Sequence, residues 1–221
     1  MHRGVVGTIG VIHKGTWEAG MGRSLRALEL PGSVKFHDIE GSHPGWQRNE
    51  VVRAMQGSWL CFIDTDQTFQ PDALIRLLAW RRPIVMALIA HRHSPFPICA
   101  FNGMRSLPYE TLPDDGLVEV DAVGTGFTVI DRAVFNRMPN PWFEVGRINP
   151  ERTGEDTWFS KKAREAGFTL AVDCGVRVGH DFKGTIWPIP GYGVKIVIPG
   201  QDPLELEIGV TQEQQQTQEV P

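Results

Sequence analysis

The chain has 221 residues, 41% of them hydrophobic and 22% charged, which is enough to bury a substantial core in one domain. Its formal net charge of −4 and its pI near 6.0 exclude a global electrostatic attraction to nucleic acids or anionic lipids. The three cysteines are few and widely separated, so we expect buried, reduced thiols rather than a disulfide framework or a zinc cluster.

The two ends of the chain lack membrane and targeting signals. Residues 1–7 have no long apolar core, and no stretch approaches the roughly 18 apolar residues of a membrane span, so a cytoplasmic protein is expected. After Pro199 the composition shifts to Gln, Glu and Thr. This predicts one folded domain over residues 1–199 and a polar, disordered tail over residues 200–221.

Apolar, β-rich stretches alternate with stretches of helical periodicity, which predicts the α/β class. In the first third of the chain, strands are predicted at 5–12, 34–37 and 58–63, and helices at 24–30 and 46–55. A helix over 71–78 follows, with Pro71 in its first turn.

The remaining two thirds continue the alternation. Strands are predicted at 83–90, in one or two pieces within 117–130 with an interruption at 124–126, at 168–173 and at 176–178. Asp131 is predicted to be the N-cap of a helix that runs through Met138, and a helix from Gly154 ends at Gly167. His180 is expected just beyond the last strand.

Asp64-Thr65-Asp66 is the strongest local signal for chemistry, because it directly follows a hydrophobic strand. Ligands of open α/β sheets bind outside the carboxyl ends of the strands, and paired carboxylates there suit Mg²⁺ or Mn²⁺ bound to a diphosphate. The alternative is that both aspartates only cap a turn.

The segments around this motif resemble the GT-A fold of nucleotide-sugar glycosyltransferases, in particular family 2. The resemblance lies in Arg48-Asn49, followed about a dozen residues later by Leu60-Cys61-Phe62-Ile63 and the Asp-x-Asp. It implies a single GT-A domain with a mixed, mostly parallel central sheet and a Rossmann-like nucleotide-binding half. By this resemblance Arg48, Asn49 and Asp64 would bind the nucleotide sugar, and Asp64 and Asp66 the metal.

Gly154-Glu155-Asp156 is similar to the Glu-Asp motif of the same family, in which the aspartate is the general base. An attacking hydroxyl must lose its proton, and a carboxylate kept ionised at a helix N-terminus suits that role. Asp156 is therefore the candidate catalytic residue, and Glu155 is expected to bind or orient the acceptor. Ordinary helix capping is the alternative.

Three further positions are matched by the resemblance. His180 would complete the metal site, although a lone histidine is usually structural. Gly126, in Gly124-Thr125-Gly126, would let the donor sugar approach the backbone, although a β-bulge explains the glycines nearly as well. Trp142 would contact the acceptor, or it would simply pack in the core.

The resemblance implies transfer of a sugar from a nucleotide-diphosphate sugar to an acceptor hydroxyl, with Mn²⁺ or Mg²⁺ as cofactor and inversion at the anomeric carbon. The acceptor could be a glycan, a lipid-linked molecule, a protein or a modified nucleobase. The chain departs from the family at Asp38, where the usual nucleoside-binding pattern is unclear, and it lacks the Gln-x-x-Arg-Trp sequence of processive synthases. One alternative is a sugar nucleotidyltransferase, but residues 10–15 are a poor match to the glycine-rich loop of that enzyme class. The other alternative is a non-catalytic nucleotide-binding protein.

Overall fold

The computed structural model describes residues 4–103, 105–148, 151–182, 184–198 and 201–208. The helices in these ranges are α1 (Ala19–Ala27), α2 (Pro44–Ala54), α3 (Ala73–Ala79), α4 (Arg132–Arg137) and α5 (Glu155–Glu165), with a 3-10 turn at Tyr109–Thr111. The strands are β1 (Gly7–His13), β2 (Val34–Glu40), β3 (Trp59–Asp64), β4 (Gln67–Thr68), β5 (Ile84–Ile89), β6 (Ala100–Asn102), β7 (Arg105–Ser106), β8 (Leu117–Val120), β9 (Ala122–Val123), β10 (Phe127–Asp131), β11 (Gly146–Ile148), β12 (Glu151–Thr153), β13 (Leu170–Asp181), β14 (Thr185–Ile189), β15 (Gly193–Val197) and β16 (Leu204–Glu207).

The central sheet has the order β2-β1-β3-β10-β5-β13 and continues through β14, β15 and β16. β1 pairs in parallel with β2 and β3, and β5 pairs in parallel with β13. β10 is antiparallel to both of its neighbours, β3 and β5. Five of these six central strands therefore run in one direction, which confirms the predicted α/β class with a mixed, mostly parallel sheet.

β3 and β5, the two neighbours of β10 in the sheet, are buried along almost their whole length because hydrophobic layers cover both faces of the sheet. On one face Phe143 stacks on Phe159, with ring centroids 4.5 Å apart, and Phe62 meets Phe143 edge-on. On the other face Phe69 packs against Phe127 with a centroid distance of 4.7 Å. The parallel pairing of β1 with β3 and of β5 with β13 places the carboxyl ends of these strands at one edge of the sheet.

β13 is a single long strand with a shift of register between Asp173 and Arg177. The buried carboxylate of Asp173 organises this bulge: Oδ1 accepts from the backbone N–H of Gly175 at 2.9 Å, and Oδ2 accepts from Trp80 Nε1 at 2.8 Å. Beyond the bulge the strand continues to Asp181, so His180 lies inside β13 rather than after the last strand. The prediction of two separate strands was wrong on this point.

Several elements have no counterpart in the sequence prediction. They are β4, the pair β6-β7, the β11-β12 hairpin and the β14-β15-β16 extension of the central sheet. β16 lies within the predicted tail at 200–221, whereas residues 209–221 and the Gln-rich run lie outside the described residues. The proposed domain boundary therefore stays a prediction.

The described helices include none that is both long and apolar enough to cross a membrane. Asp131 caps α4 as predicted, since its Oδ1 accepts from the backbone N–H of Ala133 at 2.7 Å.

Gly57→Ala is expected to destabilise the fold strongly, because Gly57 has a φ of +78° and a Cβ there would overlap the backbone of Val6 and Gly7. Gly116→Ala is the matched control, since Gly116 has a φ of +99° but open space around it. Urea unfolding should show a loss of about 1 kcal/mol for the control and about 3 kcal/mol or more for Gly57→Ala. Equal losses would show that steric overlap at Gly57 is unimportant.

Candidate active site

A cleft lies at the edge of the sheet where β1 and β3 end, and it contains two adjoining cavities. The larger one, of about 410 Å³, is lined by residues after β1 together with Asp66 and Arg92. The smaller one, of about 180 Å³, is bounded by Asp156, His180 and the Gly124–Gly126 turn. Arg48 and Asp64 line both cavities and so form the wall between them.

Arg48 projects from α2 and is only 5% exposed. Its Nη2 donates to Asp64 Oδ1 at 3.2 Å, and its Nη1 donates to Glu155 Oε1. One buried guanidinium thus connects the carboxyl end of β3 to the start of α5. Breaking such a buried pair by removing one partner costs about 3–5 kcal/mol, which makes Arg48 part of the architecture of the cleft.

Asp66 and His180 are brought together by strand pairing. β4, which directly follows Asp66, pairs with β13 so that Gln67 lies opposite His180, and the backbone N–H of Asp181 donates to Asp66 O at 2.7 Å. As a result Asp66 Oδ2 lies 3.3 Å from His180 Nε2 and accepts from Arg92 Nη1 at 2.6 Å. Two predicted metal ligands that are 114 residues apart in sequence are therefore neighbours.

The pKa values of this pair move in opposite directions. Burial alone would raise the pKa of Asp66, but the hydrogen bond and charge of His180, with the charge of Arg92, lower it below its ordinary value. Burial alone would lower the pKa of His180, but the hydrogen bond and charge of Asp66 raise it. The pair therefore favours a carboxylate facing a positive charge.

The arrangement of His180 fits a cation ligand. Its Nδ1 lies 3.0 Å from Ala90 O, and a ring that donates Nδ1–H to this carbonyl presents the lone pair of Nε2 to Asp66. Two acceptors facing each other need a proton or a metal cation between them. Imidazole and carboxylate together suit Mn²⁺ or Mg²⁺, so Asp66 and His180 fit the divalent cation implied by the resemblance.

Asp64 does not complete a three-residue cluster. No group of three or more His, Cys, Asp or Glu side chains within the described ranges is arranged to hold a metal ion. Asp64 instead binds Arg48, and burial raises its pKa against the lowering effect of the Arg48 charge. The metal-binding role predicted for Asp64 beside Asp66 and His180 therefore stays a prediction.

Asp156 lies at the first turn of α5 and lines the smaller cavity. Its Oδ1 accepts from the backbone N–H of Thr157 at 2.7 Å. Burial raises its pKa; the charge of Arg48 lowers it but does not compensate. Burial therefore opposes the helix start, which was expected to keep this carboxylate ionised, and that expectation stays a prediction.

Three buried side-chain atoms in the described chain have no hydrogen-bond partner: Arg48 Nε, Gln67 Oε1 and Thr125 Oγ1. All three belong to residues that line the smaller cavity. Buried polar atoms are nearly always satisfied in folded proteins, so these three atoms need partners such as water that the protein itself does not supply.

Asn49 and Trp142 lie together, but their side chains have partners within the protein. Asn49 Oδ1 accepts from the backbone N–H groups of Trp142 and Phe143, and Nδ2 donates to Phe143 O at 2.7 Å. Trp142 Nε1 donates to Phe135 O at 2.9 Å. These contacts give both residues a structural role, and the ligand contacts predicted for them remain a hypothesis.

Gly126 lies beside the first aspartate of the Asp-x-Asp. Its carbonyl accepts from the backbone N–H of Asp64 at 2.8 Å, and a Cβ at Gly126 would come within 3.5 Å of an Asp64 carboxylate oxygen. The predicted close approach of a ligand to this turn is therefore compatible with its position on the smaller cavity.

Arg92 and His91 are cleft residues that the sequence prediction missed. They follow β5 in His91-Arg92-His93, at the same carboxyl edge of the sheet as Asp64. The available signal was a cationic cluster directly after a buried strand, which is where the ligands of α/β sheets bind.

No protein-family model matches the chain, and no curated protein sequence matches it. Among solved structures, A197 from STIV has a TM-score of 0.58 at 14% identity, covering 92% of this chain and 95% of A197. GalNAc-T7 in complex with UDP, GalNAc and Mn²⁺ also has a TM-score of 0.58, at 13% identity over 82% of this chain. The fold is GT-A-like. The chain corresponds to 45% of the GalNAc-T7 chain, and at these identities the likeness establishes the fold alone.

Asn49→Ala is expected to lower the free energy of unfolding by about 3 kcal/mol, because it leaves buried backbone groups of Trp142 and Phe143 without partners. Asn102→Ala, at an exposed position in β6, is the control and should change stability by less than about 0.5 kcal/mol. Chemical denaturation measures both. An unchanged stability for Asn49→Ala would return this residue to the list of candidate ligand contacts.

Proposed function

We propose that the chain is a nucleotide-sugar glycosyltransferase that depends on a divalent cation. The observation that carries this proposal is the contact of Asp66 with His180 beside a cleft of two adjoining cavities, the smaller of which Asp156 also lines. A sugar ring presents several hydroxyl groups, which both donate and accept, and suits the polar side chains of Asp156, Gln67 and Thr125 around the smaller cavity.

The two cavities suit the two parts of a sugar donor. The larger one is the more polar and contains Lys14, Arg48 and Arg92 beside the carboxylates of Glu18, Asp64, Asp66 and Glu155. A diphosphate there would need these cations together with a bound divalent ion. The smaller one lies next to it across Arg48 and Asp64 and would hold the sugar. UDP in the GalNAc-T7 complex supports a nucleoside diphosphate as the larger cavity's ligand.

Asp156 is proposed as the general base. It lines the sugar cavity, where an acceptor hydroxyl must lie to attack the anomeric carbon. A carboxylate with a raised pKa accepts a proton more readily than an ordinary aspartate, provided that the working pH keeps it ionised. Arg48 neutralises part of the negative charge of Glu155 and Asp64, which limits how far the pKa of Asp156 is raised.

Asp66 and His180 are proposed to hold Mn²⁺ or Mg²⁺ together with oxygens of the donor diphosphate. The bound cation would act as a Lewis acid that stabilises the negative charge of the leaving diphosphate. The Mn²⁺ in the GalNAc-T7 complex supports this cofactor.

The family 2-like type and inversion at the anomeric carbon remain part of the proposal. Both rest on the resemblance around Asp64-Thr65-Asp66 and Gly154-Glu155-Asp156. A cytoplasmic location is likewise proposed, and the acceptor is left open among a glycan, a lipid-linked molecule, a protein and a modified nucleobase.

Asp156→Asn is expected to lower sugar transfer or donor hydrolysis by at least about 100-fold, because the amide cannot accept the proton. Affinity for UDP and GDP in the presence of Mn²⁺ should stay within about 2-fold, since Asp156 does not line the diphosphate cavity. Asp114→Asn, at an exposed loop position, is the control for removing a carboxylate. Undiminished turnover by Asp156→Asn would contradict the assignment of the base.

kcat/KM should fall on the acidic side of its pH profile, and this fall should lie at a higher pH than the ordinary aspartate pKa of about 3.9. The base must be ionised to act, and burial raises the pKa of Asp156. Activity is therefore present above this raised pKa and lost as the pH falls through it. A rate that stays constant down to the ordinary range would exclude Asp156 as the titrating base.

His180→Gln is expected to weaken Mn²⁺ binding to the free protein by at least about 10-fold, because Asp66 alone would remain to hold the ion. His43→Gln, at an exposed position before α2, is the control and should leave the affinity unchanged. Electron paramagnetic resonance of free Mn²⁺ measures both. Equal affinities in the two variants would place the metal elsewhere.

A further inference from the structure

Arg92 lies on a loop whose two ends are tied together. The backbone N–H of His91 donates to Pro97 O at 2.7 Å, and the N–H of Phe96 donates to His93 O at 2.8 Å. Tyr109 Oη donates to Phe96 O at 2.6 Å and anchors the loop to the core. The Arg92 backbone is therefore held beside the cleft, and its side chain supplies the freedom to move.

The guanidinium of Arg92 shares an acceptor with His180. Arg92 Nη1 donates to Asp66 Oδ2, the same oxygen that faces His180 Nε2. A cation bound between Asp66 and His180 would place its charge next to this guanidinium. Like charges at this separation repel, so Arg92 and a divalent cation compete for Asp66 Oδ2.

Arg92 is easy to displace, unlike Arg48. Its side chain is 42% exposed, and a partly exposed ion pair contributes only about 0.2–1 kcal/mol. Arg48 is buried between two carboxylates and stays in place. Arg92 lines the larger cavity, so its side chain already borders the place proposed for the diphosphate. Lys14 lines the same cavity and is also a cation. Arg92 is the one of the two that donates to Asp66 Oδ2, the oxygen that faces His180.

We infer that Arg92 exchanges partners during donor binding: it pairs with Asp66 in the free protein and binds the donor's diphosphate once a divalent cation occupies Asp66 and His180. Arg92 then neutralises charge on the leaving diphosphate. This inference rests on the proposed function, because it requires a diphosphate donor in the larger cavity.

Arg92→Gln tests the exchange, because two affinities should change in opposite directions. Mn²⁺ alone should bind about 2- to 5-fold more tightly, since a competing cation has been removed. UDP or GDP in the presence of saturating Mn²⁺ should bind about 10-fold more weakly, since a charge-assisted hydrogen bond to phosphate is lost. Arg92→Lys, which keeps the charge but not the planar guanidinium, should lie between Arg92→Gln and wild type in both measurements.

Arg82→Gln is the matched control, because Arg82 is similarly exposed and pairs with Glu119 at 3.6 Å just before β5, away from the cleft. It should leave both affinities unchanged. Isothermal titration calorimetry gives the affinities, and thermal unfolding verifies that each variant is folded.

The outcomes separate the inference from the proposed function. If wild type binds UDP or GDP with Mn²⁺ and Arg92→Gln weakens both Mn²⁺ and nucleotide, Arg92 only supports the site and the exchange is overturned. Tighter binding of both would make Arg92 a competitor alone and overturn its phosphate contact. If wild type binds neither nucleotide, the proposed function fails together with the inference.

Discussion

The cleft depends on one buried guanidinium. Arg48 binds Asp64 at the end of β3 and Glu155 at the start of α5, so it joins the half of the molecule that resembles a nucleotide-binding unit to the helix that carries Asp156. Arg48 is buried, where a charge needs its partners, and losing either carboxylate would leave it with only one. The helix that carries the proposed base is thus tied to the sheet edge beside the proposed cation ligands by an interaction that itself performs no chemistry.

The two arginines of the cleft differ in how strongly their carboxylate partners hold them. Arg48 has two carboxylate partners and almost no exposure, whereas Arg92 has one partner and is open to solvent. The guanidinium group therefore has a fixed, structural role at Arg48 and is free to change partners at Arg92. The surrounding burial decides between these roles, because desolvation makes a lost ion pair costly in one case and inexpensive in the other.

Much of the fold followed from local sequence signals. The buried runs at β3 and β5, the Asp131 cap and the alternation of strands and helices gave the α/β class, which the structure and its GT-A-like neighbours confirm. Long-range pairing was beyond these signals: nothing local shows that β4 pairs with β13, so the contact of Asp66 with His180 came from the resemblance alone. The roles of Asn49 and Arg92 could not be predicted for the same reason. Asn49 binds backbone groups that are distant in sequence, and Arg92 binds a carboxylate oxygen that also faces His180.

The bulge in β13 has a consequence for which parts of this chain can change in length during evolution. Side chains alternate between the faces of a strand, so one residue gained or lost between Asp173 and Arg177 would turn His180 away from Asp66. Asp173 holds this irregularity through Gly175 and Trp80, which keeps the count of residues fixed. The segment 173–177 is therefore expected to keep a constant number of residues in related chains.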